Sequence, residues 1–188
     1  VLATNPVLHV PASKEPEPRR RHLSPAEAEA LVAAIAHPAA QACHALMLAT
    51  GIERGVALKL RHRDIARIVD DTNVLATVYA AGTKRAHRNR TCMVYGRWAS
   101  LWRVVEGYLK AHPGLPDGEL WGELTEYGLH SQLRLALKAR GVEDYRTHDH
   151  RHTWAVQALR DGLSILIVAH QLGHRDAVMT LRVYGPFV

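Results

Sequence analysis

The spacing of hydrophobic residues changes twice along this chain, and that change restricts the folds open to it. The first part of the chain shows apolar stretches typical of helices. From Ala66 the period shortens, and Val74, Ala76 and Val78 alternate with other residues as in a strand. Helical spacing returns from Trp98 onward. The sequence therefore predicts a mainly α protein with a small three-stranded antiparallel β-sheet (α+β).

The strongest local signal is a helix start. Ser24 can cap a helix that has Pro25 in its first turn and Glu27 three residues after the cap. Gly51 is placed to end the second helix. The predicted helices are 25–35, 39–50, 53–60, 98–111, 128–140, 148–160, 164–170 and 176–183. The predicted strands hold Ile68 and Val69, then Val74 to Val78, then Thr91 and Met93, with turns at 70–73 and from Gly82.

The chain divides into an arm and one folded domain. Residues 1–22 contain four prolines and end in three consecutive arginines, which favours a linker. Residues 23–188 are enough for a single domain with its own core. Cys43 and Cys92 have neither metal-ligand nor pairing spacing, so we expect buried, reduced thiols.

The charge of the chain indicates a polyanionic partner. There are 24 Lys and Arg against 18 Asp and Glu, a formal net charge of +6. No apolar run approaches the roughly 18 residues of a membrane span, and the first residues lack a signal-peptide pattern. We therefore expect a soluble, cytoplasmic protein with a polyanionic partner.

The most informative block is Thr147-His148-Asp149-His150-Arg151-His152-Thr153. His148 and Arg151 are three positions apart and so lie on one face of a helix, where an imidazole and a guanidinium can meet one phosphate. Leu172-Gly173-His174 follows, and Tyr184 comes ten residues after that histidine.

These spacings resemble the tyrosine recombinase (phage integrase) family, whose motifs read His-x-x-Arg, Leu-Gly-His and then a tyrosine. The run from Thr50 to Gly55 with Leu58, Leu60 and Asp64-Ile65 is similar to the first motif, and Lys84 stands where the family has a hairpin lysine. The resemblance covers roughly residues 19–188. It implies a catalytic domain that binds double-stranded DNA, and an arm that continues from an N-terminal core-binding domain.

The resemblance also implies roles. Tyr184 is the nucleophile that forms a 3′-phosphotyrosyl link, and Arg151 stabilises charge on the scissile phosphate. His148 and His174 donate hydrogen bonds to the phosphate and can carry protons. Lys84 protonates the leaving 5′ hydroxyl. No metal and no cofactor are expected.

Two positions depart from the family pattern. Glu53 stands where the first catalytic arginine is expected, and Val56 where an acidic residue is typical. A reversed charge about 4 Å from a phosphate is worth roughly 4 kcal/mol at an effective dielectric near 20. The adjacent Arg54 is a substitute only if the turn is shifted, since neighbours on a helix diverge by about 100°. If the loop is otherwise intact, Glu53→Arg is expected to raise cleavage.

The remaining basic residues of the hairpin are Arg85, Arg88 and Arg90. They suit phosphate contacts that position the duplex, or else form a solvated face. By resemblance, full-length subunits assemble on DNA, with a tetramer expected in the synaptic complex. We expect the fragment alone to be monomeric.

Two other functions stay open. A DNA-binding regulator with the same fold but without cleavage is favoured by Glu53. A histidine metal enzyme would use His148, His150 and His152, but no cysteine or well-placed carboxylate completes such a site. We interpret His150 and His152 as packing residues or as groups that support the site, and contact of either with DNA stays open. Without the family pattern, His174 is a helix-terminal histidine, and Tyr184 is an ordinary half-buried tyrosine.

Overall fold

The computed structural model describes residues 21–68, 73–81 and 89–185, and all structural statements concern these residues. The helices are α1 (Pro25–Ala33), α2 (Pro38–Thr50), α3 (Arg54–Ala57), α4 (Ala99–Ala111), α5 (Glu126–Ala139), α6 (Asp149–Arg160), α7 (Ile165–Leu172) and α8 (Ala177–Tyr184). The strands are β1 (Ile65–Arg67), β2 (Val74–Ala80) and β3 (Arg90–Tyr95), and short 3₁₀ turns cover His62–Asp64 and Gly96–Trp98. The predicted mainly α fold with a three-stranded antiparallel sheet is confirmed.

Helix α2 is the centre of the core. All of its residues except Pro38 and Gln41 are buried, and it packs against α1, α4, α5, α6 and β3. Its five alanines let these neighbours approach closely. Gly51 ends the helix in the left-handed conformation, with φ of 69°, as its position predicted.

The sheet has the order β1-β2-β3, and both pairs are antiparallel. Val78 lies between Ile65 of β1 and Cys92 of β3. On β3 the buried side chains are those of Arg90, Cys92 and Val94, whereas Thr91 is exposed. The strand itself was predicted, but its inward-facing residues are the even-numbered ones, so Arg90 points into the protein.

Helix boundaries differ from the predictions mainly around α3. The capping box of Ser24 and Glu27 is present at the start of α1. The predicted helix 53–60 is shorter, because Glu53 has an extended backbone and only Arg54–Ala57 is helical. The bounds of α1, α2 and α4 to α8 lie within about two residues of the predicted ones.

The start of the folded domain is tied to α6. The Leu23 N–H donates to Thr153 Oγ1 at 3.1 Å, and Gln157 Nε2 donates to the Leu23 carbonyl at 2.9 Å. Most of the predicted linker, residues 1–20, lies outside the described residues. Leu23 is therefore held against α6 through both of its backbone polar groups.

Both cysteines are buried and unpaired, as predicted. Burial raises the pKa of the Cys43 thiol, and it raises that of Cys92 to about 11. Trp98, Trp102 and Trp154 are core residues, also as expected. In the part of the chain that the structure describes, no helix is long and apolar enough to cross a membrane.

Candidate active site

Arg151 projects from the first turns of α6 and is held by two helix ends. Its Nη1 donates to the carbonyl of Gly51 at 3.2 Å, and its Nη2 donates to the carbonyl of Leu172. Gly51 closes α2 and Leu172 is the last residue of α7. Carbonyls at a helix C-terminus lack helical partners and carry the negative end of the helix dipole, so they suit a buried cation. The guanidinium is thus fixed before any ligand arrives.

Glu53 lies between two guanidinium groups. Its Oε2 accepts a hydrogen bond from Arg90 Nη2 at 3.0 Å, and its Oε1 lies 3.5 Å from Arg151 Nη1. Burial raises the pKa of Glu53, but the charges of Arg151 and Arg90 and the hydrogen bond from Arg90 outweigh this and leave the pKa lowered. Glu53 is therefore ionised at neutral pH and pairs with the arginine predicted to bind phosphate.

The interpretation of Arg90 as part of an exposed basic face is wrong. Its side chain is only 2% exposed, and besides Glu53 it donates from Nε to the carbonyl of Gln171 at 2.7 Å. Gly173 makes room for it, since a Cβ there would lie 2.7 Å from Arg90 Nη1. The strand alternation that buries Cys92 and Val94 was the signal that could have placed Arg90 inside.

Arg54 lines a neighbouring cleft of about 260 Å³ together with Glu53 and Arg151, but its ion pair is with another residue. Its Nη2 is 2.5 Å from Glu126 Oε1 in an exposed ion pair with α5. The shifted turn that would bring Arg54 to the position of Glu53 is not formed, because α3 begins at Arg54 itself. Val56 is buried in the core and supplies no polar group.

Tyr184, the last residue of α8, is 2% exposed and makes a hydrogen bond that was not predicted from the sequence. Its hydroxyl lies 2.8 Å from Nδ1 of His152, and the two ring centroids are 5.6 Å apart. The ring of His152 in turn lies 5.0 Å from that of His148, edge to face. His152 was expected to pack or to support the site, but no spacing rule singles out its contact with a residue 32 positions away.

His174 follows α7 directly after Gly173, whose φ is 65°. Its Nδ1 is 2.6 Å from the hydroxyl of Thr180, a buried residue of α8. This bond fixes the imidazole relative to the helix that carries Tyr184. The half-buried ring keeps access to the cleft described below.

His150 belongs to a buried chain of hydrogen bonds behind α6. His44 Nε2 is 3.0 Å from the carbonyl of Leu129, which can only accept, so this nitrogen carries the proton. His44 Nδ1 then accepts from His150 Nε2 at 2.8 Å, and His150 Nδ1 accepts from the Tyr145 hydroxyl at 2.9 Å. That hydroxyl also lies 3.2 Å from Thr153 Oγ1. In this arrangement both histidines are neutral.

The pKa values of these histidines fit that arrangement. Burial lowers the pKa of His44 to about 4 and lowers that of His150 well below its usual range. The chain of bonds links α2, α5 and α6, and it fixes the helix that presents His148, Arg151 and His152 from its other side. His150 is therefore a positioning residue of the core.

A cleft of about 510 Å³ collects the four residues predicted to share one phosphate. It is lined by His148, Arg151, His174 and Tyr184, together with Glu53 and His152. The exposed Arg175 also lines it. Guanidinium groups, imidazoles and a phenol thus surround one space, a set that can bind a phosphodiester and attack it without a metal.

The basic hairpin residues Lys84, Arg85 and Arg88 lie outside the described residues. The histidine metal site can be examined, since its three residues are described. Within residues 21–68, 73–81 and 89–185, no three His, Cys, Asp or Glu side chains are grouped as metal ligands would be. His150 faces the core and its ring nitrogens are bonded to His44 and Tyr145.

Comparison with known proteins relates the chain to phage integrases. Residues 115–185, which include the four residues of the cleft but not Glu53, match the phage integrase family. The integrase of Salmonella phage P22 is 26% identical over 193 aligned residues, which cover 98% of this chain and 48% of that protein. The chain therefore spans about half the length of this curated relative.

Solved structures share the fold. The catalytic domain of bacteriophage HP1 integrase matches with a TM-score of 0.66 and 22% identity, covering 90% of this chain and 89% of that one. The XerH site-specific recombinase, bound to palindromic difH substrate in a post-cleavage complex, matches with a TM-score of 0.67 and 21% identity over 89% of this chain and 50% of its own. The overall fold is thus that of tyrosine recombinase catalytic domains.

Proposed function

We propose that this member of the phage integrase family is a recombinase catalytic domain that binds duplex DNA and cleaves and rejoins strands through Tyr184. The observation that carries the proposal is the single cleft lined by His148, Arg151, His174 and Tyr184. Fold and family match are consistent with it. The reaction itself and the roles of these residues are the proposal.

In this mechanism the scissile phosphate enters the cleft and accepts hydrogen bonds from Arg151, His148 and His174. Negative charge grows on its nonbridging oxygens as the fifth bond forms, and donors already fixed in place stabilise that charge without reorganising. Arg151 is fixed in this way by the carbonyls of Gly51 and Leu172. Removing one such donor typically slows catalysis about 10²–10³-fold.

The Tyr184 oxygen then attacks phosphorus, and the bond from phosphorus to the 5′ oxygen breaks. The product is a 3′-phosphotyrosyl link, so the bond energy is retained for rejoining to a strand with a free 5′ hydroxyl. The departing oxygen takes a proton, for which Lys84 is the proposed donor. No cofactor takes part in this scheme.

DNA positioning and assembly are proposed by the same analogy. Arg85 and Arg88 contact the phosphate backbone, while Arg90 is reassigned to the interior of the protein. Full-length subunits act as a tetramer on paired sites, and the isolated chain is a monomer that binds DNA weakly.

A second candidate is a DNA-binding regulator that no longer cleaves. Its specific support is the ion pair between Glu53 and Arg151, which places a carboxylate where a phosphate oxygen would bind. Such a protein would keep the fold and bind the duplex, but the scissile phosphate would be repelled.

A nicked suicide substrate separates the two functions. Its short 5′ fragment diffuses away after cleavage, so any phosphotyrosyl adduct is trapped and migrates slowly on a denaturing gel. The recombinase proposal predicts an adduct with the wild-type chain and none with Tyr184→Phe, with equal DNA binding by both. Binding without an adduct in either protein would support the regulator.

A further inference from the structure

His152 is in contact with the atom that the proposed function assigns as nucleophile. Its Nδ1 is 2.8 Å from the Tyr184 hydroxyl, the usual length of a hydrogen bond between these groups. The adjoining residue Arg151 contacts the phosphate space in the same cleft. One turn of α6 therefore carries both the cation for the phosphate and a partner for the phenol.

In the proposed reaction the Tyr184 hydroxyl is the donor of this hydrogen bond and Nδ1 of His152 is the acceptor. A phenol has a pKa near 10, so it attacks well only if its proton leaves as the new bond forms. A neutral imidazole that carries its proton on Nε2 offers Nδ1 as an acceptor. In the structure, the Tyr184 hydroxyl lies against this ring nitrogen of His152, whereas Nδ1 of His174 lies against the hydroxyl of Thr180.

The surroundings favour that transfer. Burial lowers the pKa of Arg151, and the charges of Glu53 and of an ionised Tyr184 oppose that shift, so the guanidinium and the phenolate oxygen are close enough to attract each other. Arg151 would stabilise the oxygen as the proton departs. His148 packs edge to face against His152 at 5.0 Å between ring centroids, which limits rotation of the acceptor ring.

We infer that His152 is a further catalytic residue, which orients the Tyr184 hydroxyl and accepts its proton during strand cleavage. As the bond from the tyrosine oxygen to phosphorus forms and the bond to the 5′ oxygen breaks, the phenol proton passes to Nδ1. The 5′ oxygen receives its proton from a different donor. In rejoining, His152 returns the proton to Tyr184. This inference rests on the proposed function.

The test measures the rate at which the whole chain forms the covalent adduct on two suicide substrates. One has an ordinary 5′ oxygen at the scissile phosphate, and the other has a bridging sulfur there, whose thiolate leaves without a proton. The variant is His152→Asn, since the asparagine amide can hold the hydroxyl near the place of Nδ1 but cannot take up a proton. His130→Asn, at an exposed histidine of α5, is the matched control.

We expect His152→Asn to slow adduct formation about 10²-fold on both substrates, because the defect lies in the attacking group. The acid limb of the wild-type pH–rate profile should also disappear. His130→Asn should match the wild type. His152→Gln is the second variant if the first lowers the melting temperature.

Two results would overturn the inference alone. One is a wild-type rate in both His152 variants, and the other is a defect that vanishes on the sulfur substrate, which would assign His152 to the leaving group. A wild-type chain that forms no adduct on either substrate would instead overturn the proposed function, and the inference with it.

Discussion

The carboxylate of Glu53 and the guanidinium of Arg90 form a 3.0 Å ion pair at the wall of the cleft. Glu53 occupies the loop position where the family motif has an arginine, and Arg90 brings a guanidinium to the same place from β3. The site therefore contains two neighbouring arginines, 90 and 151, with a carboxylate between them. On the proposed mechanism this carboxylate opposes a phosphate beside Arg151, whereas two guanidinium groups still supply positive charge.

Replacing Glu53 with Gln should increase cleavage. The amide oxygen can still accept from Arg90, but the charge that opposes a phosphate beside Arg151 is gone. We expect adduct formation on the suicide substrate to rise about tenfold or more, equivalent to about 1.4 kcal/mol. Glu126→Gln is the control, since that carboxylate also pairs with an arginine but at the surface. An unchanged or lower rate in folded Glu53→Gln would contradict this view of the site.

The structure changes the outcome expected for Glu53→Arg. The sequence alone predicts a gain of cleavage, yet the new guanidinium would meet Arg90 and Arg151, both buried. Breaking a buried ion pair typically costs about 3–5 kcal/mol, and like charges add to that. We predict a large loss in the free energy of unfolding, measured in urea, and recovery of much of it in the double variant Glu53→Arg/Arg90→Glu. Equal stability of the single variant and the wild type would refute the ion pair.

Gly51→Ala should disturb both stability and the site. A Cβ at this left-handed position would lie 3.0 Å from Trp154 Cε3 and 3.1 Å from Leu172 Cδ2. Gly141→Ala is a matched control, because φ is 62° there and nothing lies within 4 Å of its Cβ. Backbone strain of about 1–2 kcal/mol is common to both, and overpacking adds about 1–3 kcal/mol at Gly51 only. Similar losses in thermal or urea unfolding would argue against tight packing around Gly51.

Stability should depend on pH through the buried histidines. Burial holds the pKa of His44 at about 4 and that of His150 far below 6.5, while the unfolded chain protonates both near 6.5. The unfolded state therefore binds more protons below pH 6.5, and the free energy of unfolding falls as the pH decreases from 6.5 toward 4. Each histidine contributes about 1.4 kcal/mol per pH unit in this window. Above pH 6.5 the contribution is fully present.

The measurement is urea unfolding at several pH values between 7.5 and 4.5. His44→Gln keeps an amide for the Leu129 carbonyl but removes one titrating group. We expect it to be less stable at every pH and to have a slope about 1.4 kcal/mol per pH unit smaller below pH 6. A slope identical to that of the wild type would show that His44 is protonated in the folded protein.

Much of the fold could be predicted because its signals are local. The cap at Ser24, the stop at Gly51 and the helical periods after Trp98 depend on neighbouring residues, and the structure confirms those elements. The inward face of β3 was missed because Thr91 and Met93 defined the strand in the sequence, whereas Arg90 shares its buried face with Cys92 and Val94. A buried arginine is unusual enough that charge alone suggested the surface.

The cleft was predicted in outline and its details were not. Motif spacing brought His148, Arg151, His174 and Tyr184 together, and all four line one space. The partners of these residues come from distant segments: His152 meets Tyr184 across 32 positions, and Arg90 meets Glu53 across 37. Such contacts depend on tertiary packing, which no local pattern in a single sequence encodes.

The central claim is that Tyr184 attacks a phosphate held in this cleft, and the most direct measurement is to map the covalent attachment. The adduct trapped on a suicide substrate is digested with trypsin and nuclease, and the modified peptide is identified by mass spectrometry. We predict a 3′-nucleotide on the peptide containing Tyr184, and its loss in Arg151→Ala. Attachment to any other residue, or DNA that is bound but never linked to the protein, would contradict the claim.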